Sequence, residues 1–221
     1  MNDLTWCVVP PSAGPHARLP PIGPPTTAAQ IAELRGRILF EAGRRPSFRT
    51  PDGRYDDPDP LDCHAFLIGV RNGGELIGCI RTNPTSMSPP SSMASVLGAE
   101  RLDHVLQSLS VEPSECWDGG RWAVDPAQRR ATVGGELACA AMAVARYLGA
   151  RRLVGVAGLR GRQAERLISL GARYVAACPT VEARAWDDEL RVVVFDLDRI
   201  HPDVRAAVDA TTRLLDGAWP N

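Results

Sequence analysis

From residue 27 onward the apolar positions fall into blocks of changing period. Ile31, Leu34, Ile38 and Leu39 recur at helical spacing, and Thr26 or Thr27 can cap the start, which predicts a helix to about Ala42. Residues 44–61 are polar and rich in Pro, Gly and Asp, a loop longer than most connections and of the kind that carries function. Two strands are predicted at 65–71 and 75–81 around Asn72-Gly73-Gly74, a strong hairpin signal. After a Pro- and Ser-rich stretch at 83–92, Val96, Leu102, Val105, Leu106 and Leu109 mark another helix. Residues 117–124 read as a strand closed by Asp125-Pro126. An Ala-rich helix at 134–148 stops at Gly149, a short strand follows at 153–157, and a helix at 163–170 stops at Gly171. Strands at 174–178 and 191–197 and a helix at 204–215 complete the pattern. The alternation gives an α/β fold with a mixed sheet and no internal repeat.

Upstream, residues 10–25 hold seven prolines, which deny a helix and favour extended or disordered backbone. We therefore expect residues 1–26 to be a disordered leader and 27–221 a single domain, a size one core can support.

Composition narrows the function. A net charge of −1 argues against a general nucleic-acid or membrane-surface binder. All 25 basic side chains are Arg, so Schiff-base lysines, pyridoxal-phosphate attachment and phosphate-loop lysines are excluded. The six cysteines are scattered without a C-x-x-C pair, and the four histidines supply no ligand spacing. We expect no metal site and read the cysteines as core residues of a cytoplasmic protein. No apolar run is long enough to span a bilayer, and the N-terminus lacks the pattern of a secretory signal.

The stretch from Trp122 to Leu137 carries the chemistry. A strand stops, a polar turn bearing Arg129 and Arg130 follows, and a helix starts near Thr132, Val133, Gly134 and Gly135. A helix start offers unpaired N–H groups and a positive dipole end, glycines admit a phosphate, and arginines pair with it. A routine strand-to-helix turn with solvated arginines fits the composition equally well.

This stretch resembles the acyl-CoA-binding motif of the GNAT superfamily, Arg/Gln-x-x-Gly-x-Gly/Ala. Arg129 and Gly134 match its outer positions, and Thr132 stands where the first Gly belongs. Leu148-Gly149-Ala150 and Leu170-Gly171-Ala172 fit the helix-strand-helix end of that core. A narrower likeness joins Cys116–Val124 to the Trp-Glu-x-Ser-Arg-Phe-x-Val strand of acyl-homoserine lactone synthases and related N-acyl amino acid synthases. Leu34-Arg35, the Asp-rich stretch 56–62 with His64, and Gly78-Cys-Ile-Arg-Thr-Asn-Pro84 occur in the order those families use. The resemblance implies a GNAT fold with a mixed, mostly antiparallel central sheet flanked by helices. It implies that Arg35, Asp62, His64, Arg81 and Trp122 shape the amine pocket. Asp118 stands for the family's Glu and Arg121 for its Arg. No Trp occupies the first-helix region, where lactone synthases hold an aromatic for S-adenosylmethionine, so an amino-acid or polyamine acceptor is expected instead.

Aminolysis of a thioester needs a neutral amine, a stabilised oxyanion and a proton for the thiolate. Asp118 could take the amine proton, with Glu115 in reserve. A backbone N–H near Val124 could polarise the carbonyl, as the resemblance implies. Arg121 could orient an acceptor carboxylate. Against these roles, Asp118 could be an exposed strand-end carboxylate or pair with Arg121, and Arg121 could instead pair with the acids of 56–62. Cys116 and Cys139 are weak candidates for a covalent nucleophile, and His64 is a further candidate base.

The expected activity is N-acyl transfer, with a medium or long chain passing from acyl-CoA, or from the phosphopantetheine of an acyl carrier protein, to the amine of an amino acid or similar molecule. Acetyl transfer from acetyl-CoA and a non-catalytic acyl-CoA-binding domain are the alternatives. An acidic carrier protein would need a basic docking face, which Arg129, Arg130, Arg151 and Arg152 could supply.

Overall fold

The computed structural model describes residues 4–87, 90–128, 132–183 and 188–219. Its strands are β1 (Leu4–Val9), β2 (Phe66–Asn72), β3 (Glu75–Pro84), β4 (Cys116–Val124), β5 (Arg152–Gly158), β6 (Arg173–Tyr174), β7 (Val181–Ala183) and β8 (Asp188–Asp196). Its helices are α1 (Ala28–Glu41), α2 (Ser92–Leu97), α3 (Ala99–Leu109), α4 (Val133–Tyr147), α5 (Gln163–Ser169) and α6 (Pro202–Ala218). The chain divides into two compact units. One comprises Met1–Arg81, Arg121–Ala141 and Arg213–Asn221, the other Thr82–Gly120 and Met142–Thr212.

In the first unit the strand order is β1-β2-β3-β4. Gly73 and Gly74 both have positive φ (57° and 92°), as the two-residue turn between β2 and β3 requires. Helix α1 opens with a capping box: Thr27 accepts from the Gln30 N–H and Gln30 reaches back to the Thr27 N–H. Its apolar stripe of Ile31, Leu34 and Ile38 packs with Leu67, Cys79 and Ala123.

The leader is not disordered over residues 4–26. β1 pairs antiparallel with β2 from Leu4↔Asn72 to Val9↔Leu67, because these six residues precede the first proline and keep every backbone donor. The proline-rich strap then doubles back. Val8 and Ile22 exchange two backbone hydrogen bonds, and the Trp219 indole N–H donates to the Pro20 carbonyl at 2.7 Å. At Gly23 (φ 79°) any Cβ would collide with the Trp6 carbonyl, so the return needs glycine.

In the second unit the order is β4-β5-β8-β6, with β7 also on β8. β4 and β5 are parallel, and the pairs involving β8 are antiparallel. The whole is a mixed, mostly antiparallel sheet with helices, as expected. The helix predicted from Val96 is two, because Gly98 takes φ 80° between α2 and α3. The core here joins Leu102, Val105, Leu106 and Leu109 of α3 to Cys116, Val154, Val192 and Val194. Met142, Ala143, Val144 and Ala145 of α4 are buried as well. No helix among the described residues is long and apolar enough to cross a membrane.

Candidate functional site

β3 has ten residues and β4 nine, and the two do not run step for step. Ile77 accepts from the Asp125 N–H near one end and Cys116 from the Thr85 N–H near the other, so β4 spends an extra position between those bonds. Within that stretch Arg121 takes φ 55°, the left-handed dihedral that a one-residue bulge accommodates. A non-glycine residue held there costs about 1–3 kcal/mol and persists only when its surroundings fix it. The bulge also resets the alternation of the strand.

The surroundings that fix Arg121 are a closed ring of charges. Arg35 pairs with Asp57 (2.9 Å) and Asp62 (2.5 Å), and Arg81 pairs with Asp62 (3.1 Å) and Asp59 (2.7 Å). Arg121 closes the circuit through Asp59 (2.6 Å) and Asp57 (3.4 Å). Three cations and three anions alternate, so the cluster is neutral. The side chains of Arg35, Arg81 and Asp57 are 1% exposed, whereas Arg121 is 33% exposed.

The loop sequence explains the arrangement. Asp57 and Asp59 each precede a proline, which holds them out of the helical region; in extended chain, residues two apart face the same side. Leu61 then donates its N–H to Asp59 (2.9 Å), and a short turn at Asp62–His64 presents Asp62. Gly36 on α1 lets the Asp56 backbone approach, since a Cβ there would lie 2.7 Å from the Asp56 nitrogen. Burial opposes the charge on Arg35, but the Asp62 hydrogen bond and the carboxylates around it push its pKa above the ordinary value. Burial alone would raise the Asp59 pKa; Arg81, the Leu61 N–H and Arg121 more than offset it and hold that carboxyl below the usual range.

Of the expected pocket residues, the ring brings Arg35, Asp62, Arg81 and Arg121 together. It also recruits Asp57 and Asp59, which the sequence reading left unassigned within the acidic stretch. Their signal was the Asp-Pro-Asp-Pro run. His64 sits half-buried at the end of the turn, outside the ring. Arg121 makes the ion pairs with the loop acids that were weighed for it.

At the other end of the bulge, Trp122 lies against the start of α4. A Cβ on Gly134 would stand 2.8 Å from the indole, which gives that glycine a packing role beside the anion-binding one expected. The Trp122 Nε1–H is buried without a hydrogen-bond partner among the described residues, unusual for an indole. Thr132 precedes the helix, and its carbonyl accepts the Glu136 N–H (2.9 Å), the first bond of the helical ladder. Threonine suits that position, so the departure from the glycine pattern matches a helix start. Val124 ends β4, and Val133 and Gly135 lie in the first turn of α4. Arg129 and Arg130 lie outside the described residues.

In the second unit, Asp118 is buried and accepts the Met93 N–H at 2.9 Å in the first turn of α2. It is not the exposed carboxylate weighed as one alternative. Glu115 lies before β4, pairs with Arg151 at 3.7 Å and belongs to a local cap with Glu112. The β4–β5 ladder runs only from Cys116↔Arg152 to Asp118↔Val154, whereas β5 continues to Gly158 against β8. Burial first, then the Asp118 charge, pushes the Cys116 thiol up to about 12, and burial raises Cys139 to about 11. Neither is a thiolate near neutral pH. Arg151 and Arg152, two of the four arginines considered for a docking face, are matched by Asp196, Asp198 and Glu115.

The fold is shared with solved acyl-homoserine lactone synthases. LasI superposes with a TM-score of 0.60 at 12% identity, over 95% of this chain and 96% of that one. TofI, solved with an inhibitor and MTA, gives 0.57 at 20% identity over 85% and 91%. The CoA-dependent BjaI, solved with SAM and isopentyl-CoA, gives 0.58 at 20% identity over 87% and 82%. At these identities the likeness is one of fold. No protein-family model and no curated protein matches the sequence.

Proposed function

We propose that the chain is an N-acyltransferase that moves an acyl group from a phosphopantetheine thioester to the amine of an amino acid or similar small molecule. The observation that carries this reading is β4 itself: a strained bulge at Arg121 tied into the neutral acid–arginine ring, continuing within the same unit to Trp122 and the start of α4. The fold shared with a CoA-dependent lactone synthase solved with SAM and isopentyl-CoA supports it.

On the donor side, Thr132, Val133, Gly134 and Gly135 at the start of α4 would receive the phosphates, where free N–H groups and the helix dipole favour an anion; Arg129 and Arg130 are assigned the same task from sequence. The buried Trp122 Nε1–H is a donor that a pantetheine carbonyl would satisfy. A backbone N–H near Val124 would stabilise the oxyanion, a contribution of about 3–4 kcal/mol for one such group. On the acceptor side, Arg35, Arg81, Arg121 and Asp62, with His64 beside them, would shape the amine pocket. Because the ring is neutral, it selects by shape and hydrogen bonds more than by net charge.

Asp118 would accept the amine proton, held by the Met93 N–H, and Glu115 is the reserve. Asp118→Asn separates catalysis from structure, because Asn keeps the oxygen that caps α2 and loses the basicity.

The test is mass spectrometry of lipid extracts from a bacterial host expressing the wild type, Asp118→Asn and Arg121→Ala. New N-acyl amines with wild type that fade in both variants, each shown to be folded, support the proposal and identify chain and acceptor. Folded wild type without new species overturns the long-chain reading, and thiol release from acetyl-CoA then decides between acetyl transfer and a silent binding domain.

A further inference from the structure

Arg35 and Arg37 lie two positions apart on α1 and serve different neighbours. Arg35 is buried in the ring, whereas Arg37 reaches the residue that closes β4. Its Nη2 donates to Asp125 Oδ2 at 2.8 Å, and Glu41 lies 3.9 Å from its Nη1.

Asp125 organises the turn out of β4 with every polar group it has. Its N–H donates to the Ile77 carbonyl (2.9 Å), tying it to β3. Its Oδ1 accepts the Ala127 N–H (2.9 Å), and its carbonyl accepts the Gln128 N–H (2.9 Å). Gln128 is steadied in turn by Asn72 of the hairpin at 3.5 Å. Asp125 is 8% exposed. A carboxylate so nearly closed to water is held by its charged partner, and bending toward Arg37 aims its other oxygen at Ala127. Burial opposes the Arg37 charge, but the hydrogen bond and charge of Asp125 raise its pKa.

We propose that Arg37 is a positioning residue for the thioester donor, acting through Asp125 on the turn that leads from β4 toward α4. The inference rests on the donor assignment made above. Arg37 touches no reacting atom in this role. It fixes where the chain leaves the strand, and an error of about 1 Å in such a placement is enough to weaken a bound geometry substantially.

The experiment measures Kd for octanoyl-CoA, and separately for an octanoyl-loaded carrier protein, by calorimetry. The series is wild type, Arg37→Ala, Arg37→Lys, Asp125→Asn and the double variant Arg37→Ala/Asp125→Asn, with steady-state kinetics on each. Asp125→Asn keeps the oxygen that accepts from Ala127 while removing the charge. Arg37→Ala is expected to weaken donor binding about fivefold to tenfold, the worth of one partly buried charge pair. It should leave the acceptor KM unchanged, and Arg37→Lys should restore most of the loss. In the Asp125→Asn background, Arg37→Ala should add almost nothing. Amide exchange at Ala127 and Gln128 should quicken in Arg37→Ala while the rest of the protein keeps its protection.

An unchanged donor Kd in Arg37→Ala, an equal loss in the Asp125→Asn background, or a parallel rise in acceptor KM each overturns the assignment. If wild type binds neither donor, the donor reading falls and takes this inference with it. If wild type binds and the Arg37 series is flat, the positioning role alone falls.

Discussion

Arg35, Arg81 and Arg121 share three aspartates in a ring largely closed to water, whereas Arg151 and Arg152 share Asp196, Asp198 and Glu115 in a cluster of which only Arg152, 13% exposed, is mostly enclosed. The pairs are chemically alike and the distances similar. In the ring, four of the six side chains are at most 5% exposed; in the second cluster Arg151 is 46% and Asp198 43% exposed. Water competes for most of the charges in the second case and for few in the first. The buried ring therefore specifies the shape of the 57–62 loop, and the surface cluster decorates the end of a sheet that would form without it.

The largest effect should come from breaking the ring at its most buried cation. Arg35→Ala strands Asp57 and Asp62 and should cost about 3–5 kcal/mol in urea unfolding. A loss as small as a surface pair's would mean that water enters the loop and that the ring does not organise it. Arg121 is a third exposed and strained, so Arg121→Ala should cost only about 1 kcal/mol, discounted for solvent. Arg121→Gly should recover about 1 kcal/mol relative to Ala, because glycine takes φ 55° without penalty. Equal stabilities for Ala and Gly would show that the bulge relaxes once its side chain is gone.

Acid sharpens the same contrast. The native Asp59 pKa lies below its ordinary value, so its contribution is present above the unfolded pKa of about 3.9 and is lost as pH falls through the lower native value. Wild type should lose more stability than Asp59→Asn between about pH 5 and pH 2.5, the two curves converging at the acid end. Parallel curves would remove Asp59 from the ring's energetics. Smallest of all, Arg151→Ala should stay within about 0.5 kcal/mol of wild type and shrink further in salt. A larger, salt-resistant loss would erase the distinction between the clusters.

Much of this protein was legible where neighbours in sequence decide the outcome. Asn72-Gly73-Gly74 turns β2 into β3, Thr27 caps α1, and Gly149 and Gly171 stop their helices, because each needs only local hydrogen bonds and dihedrals. The order of Arg35, the acidic loop, Arg81 and Arg121 could be read for the same reason: the residue types stand in line, and the structure gathers them in one ring. β1 was missed because the prolines after it dominated the window, and its pairing with β2 reaches across some sixty positions. The pairing of Arg37 with Asp125 carried no signal either, because the two residues meet 88 positions apart.

The sequence by itself determined which charged and glycine residues were present in each segment and which segments would be helix, hairpin and loop. Only the tertiary structure decided that Arg121 would spend its guanidinium on Asp57 and Asp59, that Asp118 would cap α2, and that Trp122 would need a glycine beneath it. Local propensity is settled among a few neighbouring dihedrals. The partner of a buried charge is settled only when distant segments close on one another and exclude the water that would otherwise satisfy it.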